Sequence, residues 1–114
     1  MKAEARNGPV VYIASAYSGD IESNTKKSVR YSRAAIERGA SPINPILNLT
    51  GVIDESTDRE TAMAIDLLLL SRADALWVYG EPTAGMRIEI LEAKRLGLPI
   101  RWFSENMEEL KYER

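Results

Sequence analysis

The sequence predicts one α/β domain, a parallel sheet with helices on both faces. Three observations carry this reading. Short β-rich apolar segments alternate with longer segments of helical spacing, the pattern of consecutive β-α-β units. The segments are punctuated by turn and stop signals such as Gly8-Pro9, Gly39 and Gly97. The length of 114 residues, 45% hydrophobic and 28% charged, suits one globular domain and leaves little room for two.

Each element has its own justification. Val10 to Ser15 (VVYIAS) follows Gly8-Pro9 and reads as a buried strand. Ser18-Gly19-Asp20 is a turn signal. Glu22 to Arg38 reads as a helix, with Val29, Ala34 and Ile36 among its apolar positions and Gly39 as its stop. Ala40 to Asn44 gives a short second strand closed by Pro45. Ile46 to Ser56 reads as an irregular stretch, and long loops in compact domains are often functional. Thr57-x-x-Glu60 is a capping box that opens a helix running to about Arg72. Ala73 to Tyr79 (ADALWVY) is a third strand, Gly80 to Thr83 a turn, and Ala84 to Gly97 a helix ended by its glycine. Leu98 to Phe103 is a fourth strand, and Ser104 is expected to cap a last short helix. Residues 1–8 are expected to form a flexible N-terminus. By analogy with flavodoxin-like and Rossmann-like sheets, the expected strand order is 2-1-3-4. Such sheets bind ligands beyond the carboxyl ends of their strands, where the order reverses. That places a site among the loops after Ser15, Asn44 and Tyr79.

Composition narrows the chemistry. The net charge is −2, with no basic run or arm, so no duplex nucleic-acid surface is indicated. Apolar runs such as Leu67 to Leu70 are too short to span a bilayer, so no membrane partner is expected. The leading MKAEARNGP lacks the apolar core of a signal peptide, so a cytoplasmic location is expected. There is no Cys and no His, which removes thiol nucleophiles, disulfides, the commonest general base and the commonest metal ligand. No metal and no cofactor is expected. What remains is chemistry on carboxylates, hydroxyls, amides, Lys and Arg, with carboxylate-driven reactions in the lead. The small core favours a homo-oligomer.

Several residues stand out. Met86, Glu89, Ile90 and Ala93 share one helical face, so Glu89 points inward near the strand ends if its neighbours pack on the sheet. Glu92 reads instead as a solvated flank residue. Ala84 and Gly85, almost without side chains, let the N–H groups of the first helical turn approach an anion or a sugar hydroxyl, although Gly85 alone could simply serve the turn. Asp66 interrupts an apolar helix between Ala62, Met63, Leu69 and Leu70, where a carboxylate must find partners or shift its pKa. It is expected to be partly buried and hydrogen-bonded. Tyr12 lies inside the first strand, where its hydroxyl could reach a carboxylate or any other buried partner. Ser15, Tyr17, Ser18 and Gly19 follow that strand and could line the site, with Tyr17 stacking on a base. Asn44 and Asn48 bracket Pro45 and could bond sugar or base, or equally form turns. Asp74 reads as structural, and Trp77 and Trp102 as core or interface residues.

YIASAYSGD in the first strand, the helical Asp66 before RADALWVYG, and GMRIEILEAKRLGLPI together resemble the nucleoside 2-deoxyribosyltransferase-like superfamily, from about Val10 to Phe103. The resemblance is closest to its small bacterial and phage members. It implies cleavage or exchange of the N-glycosidic bond of a nucleoside or nucleotide, by transfer or by hydrolysis. It implies that Glu89 is the nucleophile, that Tyr12 holds it, and that Asp66 acts near the base or in proton transfer. Ser15, Tyr17, Ser18, Gly19, Asn44, Asn48, Ala84, Gly85 and Met86 form the expected substrate-binding set, and a homo-oligomer helps close the site. Where the classical transferases carry an acidic residue just before the glycine, this chain has Ala84, with Glu81 nearby. A nucleotide-binding or sensing module that keeps the fold without turnover is the alternative.

Overall fold

The computed structural model describes residues 7–113. Its elements in chain order are β1 (Val10–Ala14), α1 (Ile21–Glu37), β2 (Ser41–Ile43), α2 (Pro45–Leu49), α3 (Arg59–Ser71), β3 (Ala75–Tyr79), α4 (Ala84–Leu96), β4 (Ile100–Phe103) and β5 (Glu109–Leu110). The sheet runs β2-β1-β3-β4-β5. The first four strands are parallel, in the expected 2-1-3-4 order, and β5 adds antiparallel to β4. The flexible N-terminus expected over residues 1–8 falls, apart from Asn7 and Gly8, outside the described residues.

The central strands read as unbroken apolar runs because both of their faces are covered. On β1 and β3, Tyr12, Ala14, Leu76 and Val78 face one way, toward Leu70 of α3 and Met86, Ile90 and Ala93 of α4. Their neighbours Val11, Ile13, Ala75, Trp77 and Tyr79 face the other, with Tyr31 and Ala35 of α1 and Phe103 of β4. Trp77 and Trp102 are both buried. Asp74 is structural, as expected: its carboxylate accepts from Val10 N at 2.8 Å, and its own N–H donates to Val10 O. Gly97 ends α4 in the left-handed region at φ 73°, where a side chain would be strained.

Three local expectations are corrected. Residues 45–49 are helical, because Asn44 caps them and Pro45 supplies a pre-set first position. The Thr57 capping box does not form. The Thr57 hydroxyl bonds back to Asp54 O at 3.3 Å, Asp54 Oδ1 gathers Ser56 in a turn, and α3 begins two residues later. Ser104 caps no helix. Its Oγ accepts from Asn106 and Glu108 N–H groups and turns the chain into β5, where Arg101 and Glu109 pair through two hydrogen bonds across the strands.

Asn44 also ties α2 to α1. Its amide donates to Ser28 O at 3.1 Å, to Ser28 Oγ at 2.7 Å and to Ser32 Oγ at 2.7 Å. Asn44→Ala removes the cap and strands the buried Ser28 hydroxyl, so it should cost about 1–3 kcal/mol of stability. The midpoint of urea unfolding measures this, and an unchanged midpoint would show that neither bond matters.

Candidate active site

A cavity of about 240 Å³ opens beyond the carboxyl end of β1. One wall is Ile13 and Ser15 of that strand end with Tyr17, Ser18 and Gly19 of the following loop. The loop is held by Asn24, whose amide donates to the carbonyls of Tyr17 and Ser18 at 3.1 Å. The start of α4 supplies Thr83, Ala84, Gly85, Met86 and Glu89, and α3 supplies Arg59, Met63 and Asp66. The segment between α2 and α3 adds Glu55 and Ser56.

Glu89 is 6% exposed, on the buried face of α4 with Met86, Ile90 and Ala93. The fully buried Tyr12 hydroxyl donates to Glu89 Oε2. Burial pushes the Glu89 carboxyl up to about 8, against the opposing pull of the Tyr12 hydrogen bond. Burial, and then the nearby carboxylates, also push the Tyr12 hydroxyl far up, so it stays a proton donor. Asp66 is 8% exposed, and burial, followed by the field of Glu55, raises its carboxyl to about 7. Its Oδ1 has no hydrogen-bond partner, which corrects the expectation of a satisfied carboxylate. Ser15 Oγ is likewise buried and unpartnered.

The N-terminus of α4 abuts this cluster. Thr83 caps it by accepting from Met86 N at 3.3 Å, leaving the N–H groups of Ala84 and Gly85 as the rest of the first turn. Gly85 is not forced by its backbone. A Cβ there would meet only Met63 Cε at 4.0 Å, so the glycine keeps the cavity wall bare without serving a turn.

Residues 9–103 match the model of a family described as a domain of unknown function, DUF7768. The chain belongs to this family. No curated protein matches the DUF7768 chain. Among solved structures, it is similar to a 2-deoxyribosyltransferase from the psychrotolerant bacterium Bacillus psychrosaccharolyticus. The TM-score is 0.67 at 20% identity, over 83% of this chain and 72% of the other. At that identity the likeness is one of fold.

Of the residues expected at the site, Ser15, Tyr17, Ser18, Gly19, Asp66, Ala84, Gly85, Met86 and Glu89 line the one cavity, and Tyr12 stands directly behind Glu89. Asn44 and Asn48 do not. They border a separate shallow recess with Ser32, Pro42 and Leu47, and the Asn44 amide is spent on α1. Glu81 is not among the lining residues, whereas Glu92 pairs with Arg95 on the surface. Sequence reasoning missed Glu55, Arg59 and Met63. A signal existed for two of them, since Arg59 and Met63 share a helical face with Asp66. Among the described residues, no group of three acidic side chains is placed to hold a metal ion, and no helix is long and apolar enough to cross a membrane.

Both buried carboxyls titrate higher in the folded chain than their unfolded values near 4. Their protonated forms therefore favour the fold: the stabilisation is complete below about pH 4 and is lost as the pH rises through about 7 and 8. Asp66→Asn should match wild type in thermal midpoint near pH 4 and exceed it at pH 8. Equal midpoints across that range would mean that Asp66 carries no burial penalty.

Proposed function

We propose that this chain cleaves or exchanges the N-glycosidic bond of a nucleoside or nucleotide, with Glu89 as the nucleophile. The observation that carries the reading is the buried Glu89 carboxyl, held by the Tyr12 hydroxyl at the wall of a cavity beyond a parallel strand end. Three further supports are the lack of any Cys or His, the nearby Asp66 with its raised pKa, and a fold shared with a 2-deoxyribosyltransferase.

In this mechanism an oxygen of ionised Glu89 attacks the anomeric carbon. The bond from that carbon to the base nitrogen breaks, and its electron pair leaves with the base. The departing base takes a proton at one of its ring nitrogens from the Asp66 carboxyl. A water molecule, or the nitrogen of a second base, then attacks the anomeric carbon and frees Glu89, while its proton returns to Asp66. The Tyr12 bond aims the nucleophile and offsets part of the burial that opposes its ionisation. In this reading the N–H groups of Ala84 and Gly85, in the first turn of α4, meet the sugar's 5′ side.

A binding module without turnover is the second reading, favoured by Ala84 where the resembling transferases carry an acid. Chromatography of nucleosides and nucleotides incubated with the protein separates the two, since the module binds ligand and releases no base.

Glu89→Gln should keep the fold and lower base release by roughly 10³-fold or more. Tyr12→Phe should lose about 10–100-fold, the worth of one hydrogen bond to a charged group. Wild-type turnover in Glu89→Gln would sink the nucleophile and the mechanism together. Glu89 must be ionised while Asp66 is protonated, and because Glu89 titrates higher this is the minor, reversed protonation state, so kcat/KM should trace a narrow, low bell with its maximum between about 7 and 8. A plateau from pH 5 to 9 would contradict the pairing.

A further inference from the structure

The cavity holds a third carboxyl that the mechanism does not use. Glu55 comes from the segment between α2 and α3 and lines the cavity together with Asp66 and Glu89. It is half-buried, and its carboxyl is pushed up by burial and pulled back by the cation of Arg59, one turn away at the start of α3. Among the described lining residues, three carry carboxyls and one, Arg59, a cation. Such walls favour hydrogen-bond donors and disfavour carbonyl edges.

Two orphaned atoms point to a ligand in the same place. Asp66 Oδ1 and Ser15 Oγ are buried, lack partners, and belong to residues that line this cavity. A buried polar atom left alone costs on the order of 1–3 kcal/mol, so a hydrogen-bonding group of a ligand is the natural partner for Asp66.

We propose that Glu55 is a specificity-determining residue that accepts from an exocyclic amino group of the base, so that the site selects amino-bearing over oxo-substituted bases. This rests on the reading of the cavity as a nucleoside site. A protonated Asp66 and a Glu55 carboxylate lining one cavity present one donor and one acceptor, which complements a ring nitrogen beside an amino group, the edge that cytosine and adenine carry. Uracil and hypoxanthine turn a carbonyl toward Glu55 instead, and two acceptors then face each other. The charged residues that line the cavity with Glu55 are Arg59, Asp66 and Glu89, and Tyr12 stands behind Glu89.

The test is calorimetric titration of the intact protein with free bases, in two pairs that differ by one amino-to-oxo change: cytosine against uracil, and adenine against hypoxanthine. Wild type should bind the amino member at least about tenfold more tightly in each pair. Glu55→Gln, nearly isosteric and able to offer its amide N–H to a carbonyl, should bring each ratio to within about threefold. Glu55→Asp should restore part of the preference. Unchanged thermal midpoints in both variants keep a folding defect from mimicking the result. Equal binding within the pairs by wild type, binding of none of the four, or a preference that survives in Glu55→Gln overturns the proposal. Base release from the matching nucleosides is read separately. A Glu55-dependent binding preference without any cleavage would remove the proposed catalysis and leave this assignment in place.

Discussion

The hydrogen bond from Tyr12 to Glu89 is the constraint on which the rest of the site depends. It joins the middle of a central strand to the second turn of α4, across the core that α3 and α4 form on one face of the sheet. A carboxyl so buried would ordinarily be replaced by an apolar residue or turned toward water. Here the strand supplies a donor at the one place where the helix presents an acid. The register of β1 against β3, with Tyr12 opposite Leu76, holds that donor in the sheet's interior. A one-residue slip of β1 would turn Tyr12 to the α1 side and leave Glu89 without its partner.

Around this bond the protein's acids are graded by their surroundings. Glu89 is the most buried, and Tyr12 pulls it back toward its charged form. Asp66 is nearly as buried and has no such donor on Oδ1. Glu55 is only half-buried and sits beside Arg59. Burial first, and the neighbouring carboxylates second, raise Asp66 and Glu89, so these two hold protons near neutrality that isolated carboxyls would have released. A chain without His can store a proton near pH 7 this way, and general acid catalysis needs such a group.

Much of the fold was legible because it rests on signals local to each segment. Apolar strand runs, Gly39 and Gly97 marked the four parallel strands and the three longer helices, while the order 2-1-3-4 came by analogy with flavodoxin-like sheets and not from any local signal. The spacing of Met86, Glu89, Ile90 and Ala93 was enough to turn Glu89 inward. What escaped was decided by competition between side chains. Thr57 looks like a cap, but its hydroxyl is taken by the Asp54 turn. Asn44 looks like a ligand-binding loop residue, but two serines of α1 claim its amide. Ser104 looks like a helix cap, but its hydroxyl gathers Asn106 and Glu108 in a turn, and the Arg101–Glu109 pair ties the strands on either side. Glu55 had no pattern to betray it, since a loop residue's direction follows from tertiary packing and not from sequence spacing.

The orphaned Asp66 oxygen shows how stability and chemistry pull apart at one residue. For the fold alone, an aliphatic side chain among Ala62, Met63 and Leu70 would serve α3 better than a carboxyl with a raised pKa. The fold tolerates the acid because its cost is limited: at neutral pH the group can hold a proton and avoid a buried charge. That same proton is what a departing base requires in the proposed reaction. A partner placed by the fold, such as an Arg against Asp66, would stabilise the domain and ionise the group, removing the donor. The unsatisfied atom is therefore best understood together with Glu55 and Tyr12, as one arrangement in which burial raises the acids and a single hydroxyl pulls one of them, Glu89, back toward its charged form.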